Sequence, residues 1–338
     1  MSTAGTCRIA IVGTGGTIAG VSSADAGTQS SAYLAGVLPI DQIVQACGPF
    51  PNLTLEYHEP FRLPSEDLNE SHWWQLLQTL QILVARTDID AIVVTHGTDT
   101  LEESAFFIYL TLVTHKPVVF TGAMRPADHP QADGPQNLRQ ALAVAHTAVQ
   151  AKHGVGVAVV FGGQVFAVPG LRKMHMNELA AFANPHRPSA DVADVLSVVW
   201  PAPPFHFPLL ATPSGWPLVP ILSVHAGWSA TLLEAWQTLP LQGLVVEGFG
   251  AGTISSALDD WLVQRTTFTH FPIARASRVP HGVVLENQSE DDTRLQTVPA
   301  GILSAVQARV LVILSLITKQ DNHKLPTIFR CFSAQQWG

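Results

Sequence analysis

Cysteine, charge and long apolar runs are all scarce in this chain, and each scarcity removes a class of protein. Only three cysteines occur in 338 residues, Cys7, Cys47 and Cys331, far apart and in no CxxC spacing. That excludes a disulfide framework and leaves reduced thiols packed in a core. Charged residues make up 13% of the chain, with 18 Lys and Arg against 26 Asp and Glu, for a net charge of −8. Nucleic-acid binders concentrate basic residues against phosphate, so no nucleic-acid partner is expected. The 14 histidines include no HExxH, no HxE with a PCxxC and no closely spaced pair, so no metal is expected. Hydrophobic residues reach 47% with a mean hydropathy of +0.23. No apolar run approaches the roughly 20 residues of a membrane span, and the excess is assigned to buried strands and helix faces. Residues 1–6, MSTAGT, have neither the basic start nor the apolar centre of a secretory leader. The expected location is the cytoplasm, with the periplasm the alternative for a chain that has lost a leader.

What is present begins with RIAIVGTGGTIAG, Arg8 to Gly20. Ile9 to Val12 form the kind of apolar run that makes a buried parallel strand, and Gly13, Gly15 and Gly16 then turn the backbone tightly. Thr14 and Thr17 would therefore stand at the carboxyl end of that strand, where open α/β sheets place their sites. From these residues alone the loop has two uses: a phosphate cradle of backbone N–H groups, or the display of a threonine nucleophile. The dinucleotide form is weakened because G-x-G-x-x-G falls on Gly13, Gly15 and Ile18, without its third glycine. No G-x-S-x-G occurs for a serine hydrolase.

The pattern repeats along the chain. Ala91 to Thr95 is a strand before HGTDT, with Thr100 and Glu103 read as a capping box at the start of a helix. Pro117 to Thr121 runs into GAMRP, and Val155 to Phe161 into Gly162 and Gly163. Four such units imply a doubly wound sheet whose strand ends converge on one crevice. Val21 to Gly36 reads as a loop or lid carrying Tyr33, and Ser65 and Asp67 as caps for an amphipathic helix over Glu70 to Arg86. Asn184 to Pro220 holds nine prolines. The expected organisation is α/β throughout: a larger N-terminal doubly wound domain over residues 1–190, a Pro-rich linker over 191–217, and a smaller C-terminal α/β domain over 218–338. In the last, Ala230 to Leu239 and Ile254 to Gln264 read as helices, and Ser304 to Thr318 as a packed terminal helix.

TGGTIAG at Thr14 to Gly20, THGTDTLEE at Thr95 to Glu103, GAMRP at Gly122 to Pro126 and ADGPxNL at Ala132 to Leu138, taken together and in this order, resemble the bacterial L-asparaginase and glutaminase-asparaginase family. The resemblance covers nearly the whole chain. It implies an amidohydrolase that releases ammonia from the side chain of L-asparagine, and from L-glutamine as a secondary substrate, without a cofactor, in a homotetramer built from intimate dimers. A non-catalytic amide or amino-acid binding protein of the same fold is the alternative. By position, Thr17 matches the first catalytic threonine and Tyr33 the lid tyrosine. Thr98, Asp99 and Lys173 match the second catalytic set. Ser65 and Glu66 match the pair that holds the substrate's backbone end, and Ala123 the residue whose carbonyl receives the side-chain amide.

Two departures stand out against that family. Glu66 occupies a position where many strict asparaginases carry glutamine, and an added carboxylate beside a substrate ammonium loosens discrimination by side-chain length. In HGVVLENQSEDD the acidic residue that a neighbouring subunit normally supplies is replaced at the matching spacing by Ser289, with Glu286 and Glu290 nearby, of which Glu290 is favoured. Ala251 likewise stands near an asparagine of relatives. The residue types suit the chemistry without the name: a threonine hydroxyl is protonated at neutral pH and needs a neighbour to take its proton. A lysine takes a proton only after losing its own, which a carboxylate such as Asp99 opposes.

Overall fold

The computed structural model describes residues 6–22, 33–152, 154, 156–197, 200–229, 231, 234, 236, 238–266, 271–288, 290–319 and 324–333. They divide into two compact units, Met1–Asn184 with Pro188–His206, and Pro185–Arg187 with Phe207–Gly338. Residues 23–32 of the expected lid, Ser289, and five positions of the helix expected over 230–239 lie outside the described residues.

In the first unit the strands are β1 (Cys7–Gly13), β2 (Val21–Ser22), β3 (Tyr33–Leu34), β4 (Leu53–His58), β5 (Ala91–Thr95), β6 (Val118–Thr121), β7 (Val157–Phe161), β8 (Gln164–Ala167), β9 (Arg172–Lys173), β10 (Phe182–Ala183) and β11 (Ala190–Asp191). Seven of them form one sheet in the order β11-β8-β7-β6-β5-β1-β4. β4, β1, β5, β6 and β7 run parallel, and β8 and β11 add antiparallel pairings at one side. Parallel strands are covered on both faces, which is why IAIV, AIVV and VAVVF read as unbroken apolar runs. Helices α1 (Ile40–Ala46) and α4 (Gly134–Ala151) pack with Ile9, Ile11, Val93, Val119 and Val160 on one face. Helices α2 (Glu70–Ala85) and α3 (Leu101–Thr111) pair with each other, Trp73 stacking on Phe107 at 5.3 Å and donating its indole N–H to Ser104 at 3.0 Å. Cys7 and Cys47 are buried free thiols, and burial pushes both up to about 11, so they stay protonated.

Several local expectations are corrected. Thr100 is the N-cap of α3, but its hydroxyl donates to the Ser65 carbonyl at 3.0 Å and makes no capping bond, so the capping box is not formed. Helix α2 is capped by Asn69, whose carboxamide accepts the Ser71 N–H at 3.0 Å while His72 Nδ1 accepts the Asn69 N–H at 3.2 Å. Ser65 and Asp67 instead belong to a short 3-10 turn, Ser65–Asp67. The Pro-rich stretch is not wholly connective, since Ala190–Asp191 pairs with β8 and Val192–Ser197 is a 3-10 segment packed on α4.

The second unit has a parallel sheet of β12 (Ile221–Ser223), β13 (Leu244–Gly248), β14 (Ile273–Ser277) and β15 (Thr297–Pro299), in that order. Its helices are α5 (Ser256–Thr266), α6 (Asp292–Leu295), α7 (Ala305–Ile317) and α8 (Leu325–Arg330). Helix α7, read from sequence as terminal, is followed by α8; it is apolar nearly all round and packs on β13 and β14. No helix among the described residues is long and apolar enough to cross a membrane.

Arg275 on β14 is fully buried. Its guanidinium forks onto Asp292 at 2.9 and 2.7 Å and donates to the carbonyls of Ala251, Gly252 and Leu285 at 3.2 Å each. One side chain thus ties two loops of this unit to its central sheet. Removing one partner of a buried pair strands the other charge, at about 3–5 kcal/mol. Asp292→Ala should therefore lower the unfolding free energy in urea by about that amount, and a loss under about 1 kcal/mol would show that the pair is not a keystone.

Candidate active site

Because β1 and β5 pair in parallel with Gly13 opposite Thr95, the loops that follow them leave the sheet side by side. They then touch through backbone. Gly16 has φ +75°, and a Cβ there would lie 2.3 Å from Gly97 Cα. A Cβ on Gly97 would in turn lie 2.6 Å from Ser65 Cβ. Three segments are stacked as closely as main chain permits, which is why two of them are glycine. Thr14 secures the stack, donating both its N–H (3.1 Å) and its hydroxyl (2.9 Å) to the Thr95 carbonyl. Leu63 closes the other side, accepting from Gly16 N–H at 3.0 Å and donating to the Thr14 carbonyl at 3.2 Å.

Thr17 opens the 3-10 turn Thr17–Ala19 and is buried. Its Oγ1 lies 2.8 Å from Tyr33 Oη. Tyr33 sits on the β2–β3 ribbon opposite Ser22, and Ser22 is gripped by Asp128, which accepts its N–H at 2.9 and 3.0 Å and its hydroxyl at 3.0 Å. On the neighbouring loop, Lys173 Nζ donates to Thr98 Oγ1 at 2.8 Å and to Asp99 Oδ1 at 2.6 Å. Asp99 is largely exposed and Lys173 mostly buried, so the ammonium leans inward onto a buried threonine while its counter-charge faces solvent. Ser65 is buried, its Oγ accepting the Asp99 N–H at 3.3 Å, and Glu66 beside it is exposed.

Ala123 is fully buried in a loop fixed by Asp133 and Asn137. Asp133 accepts from Met124 N–H at 2.9 Å and Arg125 N–H at 3.0 Å. Asn137 donates to the Gly122 carbonyl at 3.0 Å and accepts the Gly162 N–H at 3.2 Å. GAMRP and ADGPxNL are therefore two halves of one scaffold. The motifs alone give no role to Asp133 or Asn137; the local signal for them is a carboxylate just before Gly134–Pro135 at a helix start. It had no signal for Asp128, whose partner lies 106 residues away.

The remaining acidic expectation belongs to the second unit. There Glu290 accepts the Ile254 N–H at 2.9 Å, Glu286 takes the Arg330 guanidinium at 2.7 and 2.8 Å, and the Ala251 carbonyl is held by Arg275. Among the described residues no group of three or more His, Cys, Asp or Glu is placed to hold a metal ion.

The arrangement offers two hydroxyls, each bonded to a different proton-handling partner, on loops in backbone contact. Such pairs suit nucleophilic attack on a carbonyl followed by hydrolysis. Two titratable groups flank them, His96 buried and Glu102 half-buried. Burial lowers His96 from 6.5 to about 4, leaving it neutral, with Nδ1–H donating to the Gly97 carbonyl at 2.7 Å and Nε2 without a partner among the described residues. Burial raises Glu102, on the first turn of α3, from 4.5 to about 7.

Comparison with known proteins gives one answer along the whole length. Residues 8–203 match the family description "Asparaginase, N-terminal", and residues 218–329 match "Glutaminase/Asparaginase C-terminal domain". The chain is 32% identical over 332 residues to a probable periplasmic L-asparaginase of Haemophilus influenzae, spanning 96% of this chain and 93% of that protein. It is 30% identical over 329 residues to a glutaminase-asparaginase of Pseudomonas fluorescens, spanning 95% and 90%. Its fold matches the crystal structure of a probable cytoplasmic L-asparaginase from Campylobacter jejuni with a TM-score of 0.83 at 31% identity, over 96% of this chain and 99% of that one.

His96 makes the site region acid-sensitive. A histidine whose folded pKa is depressed stabilises the fold fully above the unfolded value of 6.5, and that contribution is lost as pH falls toward about 4. The depression corresponds to about 3 kcal/mol. Urea unfolding should show a loss of that order between these pH values, and His96→Gln should flatten it; an identical pH slope in the variant would exclude His96 as the source.

Proposed function

The chain belongs to the asparaginase family, and from that membership we propose that it is an amidohydrolase converting L-asparagine to L-aspartate and ammonia, with secondary activity on L-glutamine. The observation that carries the reading is Lys173 held on Thr98 and Asp99 in a loop packed against the one that bears Thr17. A protein that merely bound amides would have no use for two separately partnered hydroxyls, and no observation favours that alternative.

In the proposed cycle Thr17 Oγ attacks the side-chain carboxamide carbon. The Oγ–H proton passes by way of Tyr33 to the departing nitrogen, the C–N bond breaks, and ammonia leaves a β-aspartyl ester on Thr17. Water then attacks the ester as its proton passes along Thr98, Lys173 and Asp99. Lys173 gives a proton to Asp99 as it takes one from the Thr98 hydroxyl, and the Thr17 oxygen departs with that proton returned to it. Backbone N–H groups of the glycine turns are the donors for the tetrahedral oxyanion, each of a kind worth about 3–4 kcal/mol. Ser65 and Glu66 take the substrate's backbone end, and Glu66 is exposed, which suits a zwitterion arriving from solvent. The Ala123 carbonyl is the acceptor for the side-chain amide, on a loop that Asp133 and Asn137 hold still. Glu290 is the contribution of a neighbouring subunit. The assembly is a homotetramer of intimate dimers acting in the cytoplasm, and no cofactor takes part.

Ammonia release from L-Asn, L-Gln and D-Asn, with size-exclusion light scattering in the same buffer, tests the reading. Turnover should be highest on L-Asn and measurable on L-Gln, at the mass of four chains; no ammonia from either L-substrate would end the proposal. Thr17→Ala and Lys173→Met should each lower kcat at least about a hundredfold, the range of a lost acid-base or nucleophilic group. Ester trapped in Lys173→Met should map by peptide analysis to Thr17, and ester on Thr98 would reverse the assignment of the two threonines. Glu66→Gln should lower the ratio of glutamine to asparagine turnover; an unchanged ratio would clear Glu66 of that role.

A further inference from the structure

Lys173 is fastened at both ends to one short piece of chain. Its ammonium reaches Thr98 and Asp99, at 2.8 and 2.6 Å. Its backbone N–H is donated, at 2.6 Å, to the Glu102 carboxylate. Glu102 lies four residues after Thr98 along the chain, on the first turn of the helix that the Thr98 loop leads into. Loop, helix turn and lysine therefore close a small ring in which one carboxylate ties the Lys173 backbone to the helix that follows the Thr98 loop. The element that carries Lys173 is slight. β9 is two residues long, paired antiparallel with β10 through Lys173 opposite Phe182 and Arg172 opposite Ala183. A strand of that length does not hold a catalytic side chain to a fraction of an ångström, and misplacement by about 1 Å costs up to roughly a hundredfold in rate.

We propose that Glu102 is a positioning residue for hydrolysis, locking the Lys173 backbone so that Nζ stays on the Thr98 hydroxyl. This rests on the reading of Lys173 and Thr98 given above. The charges that face Glu102 are Glu103 on its own helix and Arg172 and Lys173 on β9. A carboxylate accepts an N–H more strongly than a neutral carboxyl. The lock is therefore tighter when Glu102 is ionised, and because burial places its titration near neutrality, the lock tightens as pH rises through about 7.

The test compares Glu102→Ala and Glu102→Gln with the wild-type chain, in kcat and KM on L-Asn across pH 5.5–9 and in hydrogen exchange of the peptide containing Lys173. Ala removes the acceptor; Gln keeps an oxygen there but cannot ionise. Expected for Ala is a fall in kcat of roughly ten- to a hundredfold with KM changed by less than about threefold, together with loss of protection at the Lys173 amide. Expected for Gln is recovery of most of that loss and of the protection, with a deficit against wild type that widens as pH rises through neutrality. Full kcat in Ala, no recovery in Gln, or equal loss in kcat and KM alongside a lowered melting temperature in both variants would each overturn the proposal. A wild-type chain that releases no ammonia would count instead against the asparaginase reading, and the exchange experiment would still decide whether Glu102 holds Lys173.

Discussion

The contact on which the site depends is backbone against backbone: Gly16 on Gly97, two loops issuing from neighbouring parallel strands. Pairing of β1 with β5 fixes where the loops begin. The missing side chains permit the approach, since a Cβ on Gly16 would lie only 2.3 Å from Gly97 Cα. From this one approach it follows that Thr17 and Thr98, each immediately after its glycine, are brought near each other at the carboxyl edge of the sheet. Gly97 passes the constraint on to Ser65, so the expected substrate-holding turn is registered against the same stack.

Close packing of irregular backbone raises a second requirement, since every N–H and carbonyl taken from water must find a partner. The chain meets it with side chains from far along the sequence. Thr14, Asp128, Asp133, Asn137 and Glu102 each bind main-chain groups of a site loop or of Lys173. His96 supplies another, and burial keeps it neutral. In a chain with only 13% charged residues, charges drawn out of solvent hold loops in place, the half-buried Asp133 in the first unit and the fully buried Arg275 in the second.

This division explains what could be read from the sequence. Strand-then-glycine units were legible because a strand buried on both faces leaves an unbroken apolar run and a tight turn demands glycine, both local signals. TGGTIAG and THGTDT were therefore visible as loops, and the type of fold with them. The long-range bonds left no such trace. Thr100 with Glu103 has the spacing of a capping box, yet the Ser65 carbonyl, 35 residues earlier, takes the hydroxyl. Ala190–Asp191 is too short and too close to prolines to read as a strand, and becomes one because β8 presents an open edge. Arg275 reads as an ordinary charge within a strand, and only burial beside Asp292 shows it as the hub of its unit.

The two hydroxyl sets are mounted differently, and the difference suits their order of use. Tyr33 is carried on a two-residue ribbon, is 37% exposed, and is held at its base by Asp128 from the solvent side. Lys173 is fastened at backbone and at ammonium, against a helix of the main core. In the proposed cycle it would be the Tyr33 side that admits substrate and releases ammonia, and the Thr98–Lys173 pair that keeps its geometry. An ester formed on Thr17 would then meet a hydrolytic group that had not moved. That asymmetry is consistent with the proposed order, in which Thr17, partnered by the more exposed Tyr33, is the hydroxyl that attacks first.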